Sequence, residues 1–227
     1  MPISLLFGPV VKQLSPLRTL HKGLATIAGP APAEGQAARL GLYPAAALLL
    51  AFTWIELVSP DRAVPQTVGV LILLYTFGQL VAALWYGEGW FEHGEAFEVW
   101  GSLLARLSPW GRRADGTWVL RNPLDNADGT PLIRGTAAVA VVMIGSTGFD
   151  GVTRALWRQS RIDTSTNLLL VATIGLFTVV TVVAALYYAA TVLAGRFARI
   201  PGAPEMFAFS LVPIAAGYSV AHYSRCS

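Results

Sequence analysis

Few residues in this chain could do chemistry, so each one counts. The 227 residues hold 13 Asp and Glu, three His and one Cys. The densest group is EHGEAFE, where Glu92, His93, Glu95 and Glu98 fall within seven positions. Carboxylates and an imidazole at this spacing can hold a hard divalent ion. On one continuous helix Glu88, Glu92 and Glu95 would share a face, and Glu95 and Glu98 would be one turn apart. The spacing is not HExxH, since only one histidine is present and Gly94 weakens the helix. The plainer reading is a solvated acidic face.

Asp150 follows the Gly-rich string IGSTGF and precedes Gly151. Glycines there allow close helix packing or a break in the helix. A carboxylate beside such a break is a candidate ligand or general base. Its plainer role is a helix-terminal Asp capping GVTRALW. His222 in GYSVAHY has Tyr218 one turn before it. A histidine at membrane depth can bind a metal or carry protons, or simply sit at the interface. Glu56 falls near the end of an apolar run, and Gln79 within one, where interhelical hydrogen bonding is the usual role of an amide. The lone Cys226 excludes an intrachain disulfide. No GxxxxGK[ST], GxSxG or GxGxxG string occurs.

The elements that must position these residues are apolar helices. Apolar and aromatic residues make up 54% of the chain and charged ones 13%, and the mean hydropathy is +0.55. That charge is too sparse to cover a soluble surface, which argues against a cytosolic globular enzyme and against disorder. A net charge of +3 gives no footprint for nucleic acid. Five apolar stretches approach the ~20 residues a bilayer-crossing helix needs: 40–58, 66–86, 136–152, 167–195 and 205–223. The expected fold is all-α, a polytopic membrane protein of about five transmembrane helices plus an interfacial amphipathic helix. That helix is read over 88–107, with Phe91, Phe97, Trp100, Leu103, Leu104 and Leu107 largely on one side. Asp-Gly pairs at 115–116 and 128–129 around TWVLR read as a hairpin. Pro213 is expected to kink the last span without breaking it.

Lys and Arg concentrate in 1–39, 87–135 and 196–204, which places these segments together in the cytoplasm. Arg154, Arg158 and Arg161 vote the other way. The expected division is a polar cytoplasmic tail to 39, a first pair of spans over 40–86, a cytoplasmic loop over 87–135 and three spans over 136–227. The opening MPISLLFGPVVK has its apolar run before any positive charge, unlike a secretory signal.

Three strings, WFEHGEAFEVWGSLLARLSPWGR (90–112), VVMIGSTGFDGVTRALW (141–157) and LVPIAAGYSVAHY (211–223), resemble bacterial integral-membrane fenitrothion hydrolases. LSPLRTLHKGLA (14–25) and LLAFTWIELVSP (49–60) are similar to the same group. The resemblance implies an inner-membrane enzyme that hydrolyses the P–O–aryl bond of small hydrophobic organophosphorus triesters and releases a nitrophenol. Members of that group look longer at both ends, so a second membrane subunit is an expected partner beside the lipid bilayer. Hydrolysis needs an activated water and a group that stabilises charge on phosphorus-bound oxygen or sulfur. A divalent metal could supply both, held by His93, Glu92, Glu95 and Glu98, or by Asp150 and His222 across spans. A metal-free route would use Asp150 or His222 as base, with Arg154 or Tyr218 near the developing charge. Read from composition alone, a membrane component that moves a metal or small solute competes with this. A scaffold subunit without chemistry is the third reading.

Overall fold

The computed structural model describes residues 15–60, 64–112, 118–120, 133–159 and 168–223, with side chains over 15–60, 64–110, 133–153 and 169–217. Within these the helices are α1 (Pro16–Ala28), α2 (Ala37–Leu40), α3 (Tyr43–Val58), α4 (Pro65–Tyr86), α5 (Trp90–His93), α6 (Ala96–Ala105), α7 (Thr136–Gln159), α8 (Leu168–Ala198) and α9 (Ala203–Tyr223). Two short strands, β1 (Trp110–Arg112) and β2 (Trp118–Leu120), pair antiparallel with Trp110 opposite Leu120. They form the hairpin expected around TWVLR; the Asp-Gly pairs themselves lie outside the described residues.

Three helices are long and apolar enough to cross a bilayer: Pro65–Tyr86, Thr136–Thr153 and Leu169–Ala198. They mark the chain as a membrane protein. At 1.5 Å per residue, α4 spans about 33 Å, close to the hydrocarbon thickness. Its apolar side chains face outward; Leu73, Leu74 and Phe77 are all more than half exposed. Exposed leucine in this number is unfavourable in water and ordinary against lipid.

The expected first span, 40–58, is shorter than its apolar run. A turn at Gly41–Leu42 separates α2 from a 16-residue α3. The third extends further than 136–152, since α7 continues to Gln159. Pro213 lies inside α9 without ending it, as expected.

Helix α7 is the centre of the bundle and packs against α3, α8 and α9. Contacts at the helix ends fix the directions. Leu42 N donates to Arg134 O (2.8 Å), so α3 and α7 start together. Glu205 accepts from Gly135 N (3.0 Å) and Ala137 N (2.8 Å), so α7 and α9 also start together. The Glu205 carboxylate thereby caps free amides at the positive end of α7. Helix α8 runs the other way. A Cβ at Gly145 would lie 2.9 Å from Val180 Cα, and one at Gly175 3.0 Å from the Phe149 ring. Gly145 is thus where α7 and α8 approach backbone to backbone. Trp54 Nε1 donates to Thr173 Oγ1 (3.1 Å), joining late α3 to early α8. The shared core draws Leu49 from α3, Trp100 and Leu104 from α6, Val139 and Phe149 from α7, Leu176 from α8, and Val212 and Ala215 from α9.

Helix α1 falls in the segment read as a polar tail. It is instead an amphipathic helix packed on the C-terminal end of α4. Leu17 joins Ala83, Trp90 and Phe91 in a second small core.

Candidate functional site

The segment 88–107 is two helices joined by a turn, not one interfacial helix. Gly94 breaks it: a Cβ there would collide with the Trp90 indole. Glu95 then restarts the chain as the N-cap of α6, its carboxylate accepting from Phe97 N (3.2 Å) and Glu98 N. A carboxylate at an N-cap satisfies free amides and favours the positive helix end.

The pair α5–α6 is also buried rather than solvated. Phe91, Ala96, Val99, Trp100, Leu103 and Leu104 are almost fully covered. Trp90 Nε1 donates to Gln79 Oε1 (2.7 Å), which gives mid-span Gln79 the interhelical role expected of it. Tyr75, one turn deeper in α4, donates its hydroxyl to Glu95. Phe97 then touches Phe52 of α3 and Tyr75 of α4 edge-on, at 5.0 and 5.5 Å. Arg106, just past α6, lies 5.0 Å over Phe209, in the second turn of α9. Chain position against α4, α3 and α9 therefore runs inward along α5 and outward along α6. The pair enters and leaves on one side, as a re-entrant segment does.

The four residues read as a metal set have other partners. Glu98 is 2% exposed and takes a two-pronged bond from Arg18, Nε to Oε2 at 2.9 Å and Nη2 to Oε1 at 2.5 Å. Arg18 also reaches Glu88 (2.9 Å) and Glu92 (3.7 Å) and lies 5.3 Å over the Phe91 ring. Its pairing with Glu98 raises its affinity for the proton. Burial holds the Glu95 carboxyl above its usual range, against the opposing pull of Tyr75 and the α6 amides. His93 Nδ1 donates to Gly89 O (2.9 Å), within its own turn. Among the described residues, no group of three or more His, Cys, Asp or Glu is placed to hold a metal. The solvated acidic face is likewise replaced, for Glu95 and Glu98, by burial and pairing. The partner that resolves the charge of Glu98, Arg18, is 80 residues away in sequence. The only hint in sequence is LSPLRTLHKGL, where Leu17, Leu20 and Leu24 recur at helical spacing behind Pro16.

Asp150 sits inside α7, 9% exposed, four residues after Ser146. The helix is unbroken through Gly145, Gly148 and Gly151. Neither the helix break nor the capping role holds, because α7 runs nine residues past Asp150. Gly145 serves close packing on α8, whereas a Cβ at Gly148 would make only ordinary contact with Val179 (3.8 Å) and one at Gly151 would meet nothing. Ser146 and Thr147 turn their hydroxyls back to the carbonyls of Met143 (3.1 Å) and Ile144 (2.9 Å). Glu56 is exposed on α3. The side chains of Arg154, Tyr218 and His222 lie outside the described residues, though all three positions are helical.

Backbone register relates them. Helices α7 and α9 start side by side at Thr136 and Glu205 and run parallel. Fourteen residues on, about 21 Å along each axis, Asp150 is level with position 219. Positions 218 and 222 thus fall at the height of Asp150, toward the same end of the bundle.

Neither a family model, nor a curated protein, nor a solved structure matches this chain.

Proposed function

We propose that the chain is a membrane-embedded hydrolase, or a required subunit of one, that cleaves the P–O–aryl bond of neutral organophosphorus triesters such as fenitrothion. The observation that carries this is a buried carboxylate, Asp150, on a bilayer-length helix and level with the Tyr218–His222 turn of the adjacent α9. The three strings that resemble fenitrothion hydrolases also supply side chains to one core, through Trp100 and Leu104, Val142 and Phe149, and Val212 and Ala215. Neutral triesters partition into lipid, so a site at membrane depth meets them at raised concentration.

In this reading Asp150 or His222 takes a proton from water as its oxygen attacks phosphorus. The P–O(aryl) bond breaks, and nitrophenolate leaves with the electron pair. Arg154 or Tyr218 stabilises the charge that develops on the phosphoryl oxygen or sulfur. No step is routed through a metal at 92–98, because those carboxylates are engaged by Arg18 and Tyr75. Helices α3 and α9 complete a five-span arrangement in a bacterial inner membrane, with α1 and the 87–135 segment on the cytoplasmic side. A second membrane subunit is the proposed partner.

The competing reading is a transport component for a metal or small solute. The re-entrant α5–α6 pair with buried Glu95 and Glu98 favours it, since such segments line paths through membranes.

The test is nitrophenol release from fenitrothion by membranes containing the chain, alone or with a co-expressed membrane subunit, with and without chelator. Release that falls at least 100-fold in Asp150→Asn, at equal protein level, supports the hydrolase. Absence of release in every arm, with the protein in the membrane, sinks it and leaves transport first.

A further inference from the structure

Helix α1 has three distinct sides. One packs on the protein: Leu17 joins the Ala83–Trp90–Phe91 core, His21 Nε2 donates to Ala83 O (3.2 Å), and Arg18 reaches Glu98. A second is polar, with Thr19, Lys22 and Thr26; Lys22 is 69% exposed. The third is apolar and uncovered: Leu20 is 50% exposed, Leu24 40% and Ile27 87%. These three positions recur at helical spacing and form one stripe beside the packed side.

The height of α1 is fixed by α4. His21 meets Ala83, three residues from the end of a helix whose length matches the hydrocarbon layer. Both ends of α1 stay near this level. Arg18 reaches Glu88 at one end, and Ala31, three residues past the other, lies 3.8 Å from where a Cβ at Gly87 would be. Exposed Trp85 and Tyr86 stacked on Trp90 (5.3 Å) mark the same level with aromatic rings, as in membrane-boundary belts.

From these observations we infer that α1 is a lipid-contacting helix of the membrane boundary, with Leu20, Leu24 and Ile27 sunk among the upper acyl chains and Lys22 and Thr26 toward the headgroups. The occupant of the stripe is the bilayer, because α1 lies against the end of α4, a bilayer-length helix whose apolar side chains face outward, at the level marked by Trp85 and Tyr86. An interfacial helix seats its apolar side about 5–10 Å into the headgroup–acyl boundary. The inference rests on the membrane reading of α4.

The experiment is nitroxide scanning of the full chain in vesicles of phosphatidylethanolamine and phosphatidylglycerol. With Cys226→Ser as background, single cysteines replace Thr19, Leu20, Lys22, Leu24 and Ile27, and Leu74 serves as a reference within α4. Collision with oxygen reports lipid, and collision with a water-soluble nickel chelate reports solvent. The oxygen-to-nickel ratio is expected to be severalfold higher at 20, 24 and 27 than at 19 and 22, and highest at 74. A high ratio at 74 with no difference among the α1 positions overturns the inference. So does shielding of 24 and 27 from both probes, which would mean a protein covers them. A water-like ratio at 74 overturns the membrane reading itself.

Discussion

Replacing Glu98 by glutamine leaves Arg18, over the Phe91 ring, with only the more exposed Glu88 and Glu92 as counter-charges. Breaking a buried pair costs about 3–5 kcal/mol when the remaining charge is uncompensated, so the loss here should lie below that range, and exchanging both partners for apolar residues should cost less still. Thermal unfolding in detergent should therefore show a large loss for Glu98→Gln and a smaller one for the double variant Arg18→Met with Glu98→Leu. Equal losses would mean that the pair matters as a pair and not as a buried charge. Glu95 gives a pH signature instead. Its carboxyl is raised by burial, so the folded state holds the proton more firmly than the unfolded one. The Glu95 contribution is most favourable below the unfolded value of about 4.3 and declines as pH rises from there toward the folded value. Glu95→Gln should remove that slope from a plot of unfolding temperature against pH. None of this was legible locally. The acidic string shows where charge is dense, but the residue that neutralises it lies 80 positions away. Asp150, in contrast, was legible as a carboxylate in an apolar run, and its burial followed.

At the scale of elements, two glycines set how helices meet. Gly94→Ala pushes a methyl into the Trp90 ring at the turn between α5 and α6. Overpacking of this kind costs about 1–3 kcal/mol, and the Trp90–Gln79 bond should weaken with it. A shift in Trp fluorescence together with lower unfolding temperature would report both. Removing the α7 cap by Glu205→Ala should cost about 1 kcal/mol, read from the same melt. Apolar run length showed the long helices well, because a bilayer-length helix needs little beyond composition. It failed at 40–58, where the turn at Gly41–Leu42 cuts the helix to 16 residues. It failed again at 88–107, where apolar periodicity continued across a break. Periodicity cannot tell a helix that lies on a surface from two that fold into it. The weak point was visible as Gly94, but the indole that makes a side chain impossible there is a matter of packing.

At the scale of the molecule, the directions of α3, α7 and α9 sort the connections into two sides. The turns near Glu34, Glu88 and Arg196 fall on one, and Ser59 on the other. Cysteines placed at 34 and 196 should react alike with a membrane-impermeant maleimide in intact cells, and one at 59 oppositely. Agreement of 59 with 34 would break the arrangement. The labelling also tests the sidedness expected from Lys and Arg, which groups 1–39, 87–135 and 196–204 and is opposed by Arg154, Arg158 and Arg161.

The Arg18–Glu98 bond also imposes an order of events during synthesis. The two residues are separated by 80 positions, and chain growth at about 5–20 residues per second puts roughly 4–16 s between them. For that interval α1 exists without the carboxylate that holds it to the bundle, and α4 is threaded before its neighbour can lock. A nascent chain stalled before residue 98 should leave α1 open to protease, and one stalled after α6 has left the ribosome should protect it. Helix α1 is thus made well before the carboxylate of Glu98 that fastens it.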